Sequence, residues 1–144
     1  PSWPEEDFQA MYQLARIAED LAARDTAHTT PYDWSLAQWY YLKAYSMRPA
    51  RIEPLIHLAS HYFYMNDFAN AYLFAKMACE TPYPEEDILF VEKEMYLYTR
   101  YEILAQCAIH LGEYGNGEWA VKKALEHKPH AKHLQDLLTQ YLNH

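Results

Sequence analysis

Apolar and small residues recur with helical spacing across residues 54–78, where Leu55, Leu58, Ala59 and Tyr62 take the i, i+3, i+4 and i+7 positions of one face. Asn66-Asp67 interrupts the pattern. A second helical pattern starts at Phe68 and lines one face with Ala71, Ala75 and Ala78, and Thr81-Pro82 stops it. Together the two patterns predict a helical hairpin, with small residues where the two backbones approach.

The same spacing returns along the chain. Ala59 and Ala78 are 19 residues apart (78 − 59), and so are Ala105 and Ala124 (124 − 105), a pair that follows Ile103-Leu104 and closes on His127-Lys128-Pro129. Gly112-Glu113-Tyr114 supplies the turn between them. Upstream, Met11, Leu14, Ala15 and Ala18 predict a first helix, and Ala37, Tyr41, Ala44 and Pro49 predict a second helix with its stop. Ala15 to Ala44 is 29 residues, so ten are inserted, at residues 24–33 (RDTAHTTPYD), a loop ending in an N-cap at Asp33. Twelve more lie around residues 81–94, because Ala78 to Ala105 is 27 residues where Ala44 to Ala59 is 15. In residues 130–144, Leu134, Leu137, Leu138 and Tyr141 share one face and Lys132, Gln135, Asp136 and Gln140 the other, the pattern of a solubilising cap on a solenoid.

This layout resembles the tetratricopeptide repeat, W-x2-L-G-x2-Y, then A-x3-F, then a closing Pro, over about 34 residues. Leu55 stands for the Trp, Ala59 for the Gly and Ala75 for the Phe, while Leu58, Tyr62 and Ala71 match. The expected fold is all-α, a right-handed superhelix of about three degenerate hairpins plus a C-terminal capping helix. One domain, residues 1–144, holds units at about 8–49, 50–82 and 92–129, insertions at about 24–33 and 81–94, and a cap at 130–144.

Composition narrows the function. A content of 51% hydrophobic residues with three glycines fits a packed core, and the net charge of −8 argues against nucleic acid or an anionic membrane as partner. No apolar run approaches the roughly 20 residues that span a bilayer, and Pro1-Ser2-Trp3-Pro4 has no secretory pattern, so a cytoplasmic location is expected. The missing initiator Met suggests a piece excised from a longer protein. Cys79 and Cys107 read as buried thiols in a reducing compartment.

Pro4-Glu5-Glu6-Asp7 recurs as Pro84-Glu85-Glu86-Asp87, and both read as helix starts whose acids complement the dipole. Ile88-Leu89-Phe90-Val91 is expected to tuck against a neighbouring repeat as an extended or single-turn segment, before a helix from about Glu92 to Leu111. His57 and His61 have an i, i+4 spacing that can hold zinc, but the glutamate of H-E-x-x-H is missing. His127, His130 and His133 straddle Pro129. Gly-x-Ser-x-Gly, a phosphate-binding glycine loop and Asp-x-Asp are all absent from the sequence. No catalytic residue, metal or cofactor is expected.

Two segments are more specific than the repeat positions: Arg48-Pro49-Ala50-Arg51-Ile52-Glu53-Pro54-Leu55, and Pro82-Tyr83-Pro84-Glu85-Glu86-Asp87-Ile88-Leu89-Phe90-Val91-Glu92. With Ala69-Asn70-Ala71-Tyr72-Leu73-Phe74-Ala75-Lys76 between them, they resemble the C-terminal tetratricopeptide-like helical-repeat region of family 2 glycosyltransferases. The resemblance covers roughly residues 8–128 and implies that the twelve-residue insertion is a family feature. It also implies a separate catalytic domain, absent from this sequence, so the chain by itself is expected not to be an enzyme.

The function expected is a scaffold that binds an acceptor protein or peptide, or pairs subunits as a homodimer, through a concave surface. Groove positions come from the first helix of each unit: Tyr12, Arg16 and Glu19; Ile56, Ser60, Phe63 and Tyr64; Glu102, Gln106 and His110. Phe63 and Ile56 also fit a core role. The alternative is a carbohydrate-binding module that holds a glycan on Trp34, Trp39, Tyr40, Tyr41 and Tyr45, a reading that a solvent-exposed cluster of at least two of these rings would strengthen. Arg48, Arg51 and Glu53 are expected to form an exposed structural ion pair at the junction of units one and two, contributing under ~1 kcal/mol.

Overall fold

The computed structural model describes residues 3–25, 27, 33–84 and 91–144. Among them the chain is all-α, a helical-repeat fold of seven α-helices and one π-helical turn. In order these are α1 (Glu5–Arg24), α2 (Trp34–Met47), α3 (Glu53–Tyr64), α4 (Phe68–Cys79), the π turn (Met95–Thr99), α5 (Arg100–Leu111), α6 (Tyr114–His127) and α7 (Lys132–Leu142). Helices α1 and α2, α3 and α4, and α5 and α6 form antiparallel hairpins. Between hairpins α2 meets α3, α4 meets α5, and α7 packs on α6 and α5.

Local chemistry sets the boundaries. Asp33 caps α2 by accepting the Leu36 N–H at 3.1 Å, and Asp67 caps α4 by accepting that of Asn70 at 3.2 Å. Asn66 takes φ of 60° in the turn between α3 and α4, a conformation asparagine tolerates better than most residues. Gly112 closes α5 at φ of 72°. The second Pro-Glu-Glu-Asp segment lies mostly outside the described residues, as do Ile88, Leu89, Phe90 and most of the first insertion, whereas Val91 sits half-buried against the core.

Alanines mark the helix crossings. Ala37, Ala44, Ala59, Ala71, Ala75, Ala78, Ala105 and Ala124 are all fully buried. In α1 the inward face differs from the expected one. Phe8 and Tyr12 join Ala15 and Ala18 inside, while Leu14 faces solvent. The cap helix buries Leu134, Leu137 and Tyr141 as expected, and the Tyr141 hydroxyl donates to the Ala105 carbonyl of α5. Gly117 in α6 makes room for that ring, since a Cβ there would overlap the Tyr141 hydroxyl and ring edge.

Two buried arginines hold the repeats in register. Arg100 reaches back to α4, donating to the carbonyls of Ala78 at 2.8 Å and Thr81 at 2.6 Å, groups that a helix end leaves without partners. It also donates to the Tyr96 carbonyl at 2.6 Å within the π turn. Arg51 and Glu53 correct the expected exposed pair, for both are fully buried and joined at 2.7 Å. Glu5 of the first Pro-Glu-Glu-Asp segment pairs with Arg51 and lies 3.3 Å from Arg48. Its role is thus a specific inter-repeat contact, beyond helix-dipole electrostatics.

Candidate functional site

Helices α3, α5 and α7 lie side by side and leave a cleft of about 490 Å³ between their C-terminal halves. Phe63, Phe68, Ile109 and Leu137 form its apolar walls, and Asn66, Gln106 and Gln140 bring side-chain amides to it. Tyr64 stands at the rim with 82% of its surface exposed. His110 stacks on Phe68 at 3.9 Å with the rings 4° from parallel. Amides that both donate and accept, set among aromatic faces, suit a backbone or hydroxyl ligand.

The expected groove residues divide. Tyr64, Gln106 and His110 come together in the cleft, with Phe63 beside them. Ile56, at 3% exposure, belongs to the core and cannot line a surface. Tyr12 is likewise corrected to core, at 2%, because its ring stacks on Phe8 and its hydroxyl donates to Glu92 at 2.6 Å. Ser60 is half-buried on α3 and lies outside the cleft lining. Glu102 is half-buried on α5, where it accepts from Tyr98 and lies 2.7 Å from His133 Nε2.

Glu19 and Arg16 sit around a second constellation near the N-terminal end. Glu19 Oε1 accepts the Tyr41 hydroxyl at 2.5 Å and lies 3.3 Å from His57 Nδ1, while His57 Nε2 meets the Tyr12 hydroxyl at 2.9 Å. Burial raises the Glu19 pKa, but the hydrogen bonds from His57 and Tyr41 outweigh it and hold the carboxyl below its ordinary value. Burial pushes the Tyr12 and Tyr41 hydroxyls well up, which keeps both protonated. Arg16 is exposed, 5.7 Å from the Tyr12 ring centre. The arrangement is a hydrogen-bonded tie between α1, α2, α3 and Glu92. His61 stacks on Trp34 at 3.5 Å. Among the described residues, no group of three His, Cys, Asp or Glu side chains is placed to hold a metal ion.

Among the aromatics nominated for a glycan, Trp39 alone is exposed; Trp34, Tyr40 and Tyr45 are half-buried and Tyr41 is buried. No two of these five rings are exposed together, so the cluster that would strengthen the glycan reading is absent. Asn66, Phe68, Leu137 and Gln140 were not evident as groove residues from the sequence. Asn66 belongs to a hairpin turn, Phe68 opens α4, and the last two belong to a helix whose pattern reads as a cap. No protein-family model matches the chain, and no curated protein matches it. Among the described residues, no helix is long and apolar enough to cross a membrane.

Proposed function

We propose that the chain is a non-catalytic interaction module that holds an extended peptide segment of a partner protein in the cleft between α3, α5 and α7. One observation carries this reading: Tyr64, Gln106 and His110, from two separate hairpins, meet in one concave cleft with apolar walls and three amides. An extended peptide offers backbone N–H and C=O groups to Gln106, Gln140 and Asn66, and side chains to the spaces beside Phe63, Phe68 and Leu137. The surrounding chain carries a net charge of −8, so basic residues flanking the apolar anchors favour capture. By its resemblance to glycosyltransferase repeat regions, the module would present an acceptor protein to an attached enzyme. Two free thiols support a cytoplasmic setting.

Selection from a random peptide library displayed on phage tests this. The expected result is a set of peptides with apolar anchors and basic flanks, whose affinity falls at least about tenfold with Tyr64→Ala or Gln106→Ala and is unchanged by Trp39→Ala. Peptides whose binding ignores the cleft variants would overturn the assignment.

A further inference from the structure

Helix α1 carries two apolar faces, and its partners among the described residues account for one. Phe8, Tyr12, Ala15 and Ala18 face inward against α2 and α3 residues. On another side, Asp7, Ala10, Leu14, Ile17, Leu21 and Arg24 follow one another at alternating steps of three and four, the spacing of a coiled-coil seam. Leu21 is half-buried and the other five are exposed, Leu14 at 45% and Ile17 at 54%.

The seam is complementary to itself when reversed. Laid antiparallel about a centre between Leu14 and Ile17, it sets Leu14 opposite Ile17 of a second copy, Ala10 opposite Leu21, and Asp7 opposite Arg24. Large residues meet at the middle. On either side a Leu21 meets the small Ala10 of the other copy, so the bulk of one fills the space the other leaves, and opposite charges seal both ends. The antiparallel arrangement also places the positive N-terminal end of one helix dipole beside the negative C-terminal end of the other. A parallel arrangement would stack Asp7 on Asp7 and Arg24 on Arg24. Arg24 already meets Asp20 of its own helix at 3.2 Å, and its guanidinium has further donors to offer.

We propose that two copies of the chain pair through antiparallel α1 helices as a symmetric dimer. The seam shares no residue with the cleft between α3, α5 and α7, so pairing leaves both clefts open and presents them as a divalent unit. A two-helix contact lies below the usual interface of about 1,200–2,000 Å², so the dimer is weak and reversible.

Sedimentation equilibrium of the 144-residue chain over a concentration series tests the proposal. The wild type should form a reversible dimer. Leu14→Glu and Ile17→Glu, both at exposed positions, should remain monomeric while retaining the wild-type circular dichroism spectrum. Asp7→Arg or Arg24→Asp breaks two symmetry-related pairs and should raise Kd about tenfold or more. The combined Asp7→Arg/Arg24→Asp chain should return to within about threefold of wild type, an outcome only the antiparallel register gives. A strict monomer, a dimer that survives Leu14→Glu, or failure of the combined chain to recover would overturn it. Tyr64→Ala should leave the dimer intact, and its loss in that variant would place the contact in the cleft instead. Peptide capture by the cleft is read separately, so either proposal can fail alone.

Discussion

Replacing Glu53 by Gln removes one negative charge from the centre of the repeat stack. Glu53 is fully buried and receives four donors. Arg51 Nη2 reaches it at 2.7 Å and Arg51 Nε at 3.2 Å, the Tyr96 hydroxyl at 2.6 Å, and the Glu92 backbone N–H at 3.3 Å. A Gln amide keeps one oxygen and turns an N–H₂ group toward donors, so at least one charge-assisted bond is lost, at ~1.5–3 kcal/mol. Breaking a buried pair outright costs ~3–5 kcal/mol because it strands a charge. Arg51 keeps Glu5 as a second carboxylate partner, and that side chain is 20% exposed, which places Glu53→Gln nearer ~3 kcal/mol than 5. In a chain of this size ~3 kcal/mol lowers Tm by roughly 6–12 °C. Urea unfolding followed by circular dichroism measures it, with an unchanged m-value expected. Tyr96→Phe serves as an internal check. The hydroxyl accepts the Ile52 N–H at 2.9 Å while donating to Glu53, so its loss leaves a buried N–H without its partner and costs ~1–3 kcal/mol. A Glu53→Gln loss below ~1 kcal/mol would refute the reasoning, for it would mean the buried carboxylate does no more than a surface pair.

Other substitutions probe other levels of the structure. Gly117→Ala should destabilise by ~1–3 kcal/mol because its Cβ would overlap the buried Tyr141 side chain, whereas Gly115→Ala in the same helix meets nothing within 4 Å and should be neutral or stabilising in the same denaturation assay. Burial pushes both Cys79 and Cys107 up to about 12, so both should resist a thiol-reactive dye in the native chain at neutral pH and react on unfolding. Burial holds the His61 imidazole below its ordinary 6.5, against the opposing pull of Glu19. The unfolded chain therefore takes up that proton first, and stability falls as pH drops through 6.5 toward the folded value. Thermal unfolding between about pH 7 and pH 5.5 should show a shallower loss in His61→Gln than in wild type, and an equal slope would contradict the assignment.

The helical hairpins were legible because small residues at helix crossings repeat at fixed separations. Ala59 with Ala78 and Ala105 with Ala124 gave both the pairing and the lengths of the insertions, and Asp33 and Gly112 marked ends by their own chemistry. Local pattern decided less in α1. Positions 11, 14, 15, 18 and positions 8, 12, 15, 18 are both apolar and both helical in period. The choice falls to Phe8 and Tyr12 because Tyr12 packs beside Tyr41 and stacks on Phe8, which in turn lies under the Arg51 guanidinium, and the Tyr12 hydroxyl finds Glu92, 80 residues away. The burial of Glu53 was hidden for the same reason. Its donors Tyr96 and the Glu92 N–H are 43 and 39 residues distant. Four of the nine residues lining the cleft, Phe63, Tyr64, Gln106 and His110, were legible as first-helix positions. Leu137 and Gln140 were not, since an amphipathic final helix looks the same whether it only covers the last repeat or also walls a groove.

The central claim, a peptide-binding cleft, is tested most directly by following the side-chain amide resonances of Asn66, Gln106 and Gln140 by NMR while a library-selected peptide is added. The account predicts saturable shifts concentrated at these three amides and at the backbone of Phe63, Tyr64, Ile109 and His110, with α1 and α2 unmoved. Shifts confined to other surfaces, with the three amides unchanged at saturation, would contradict it.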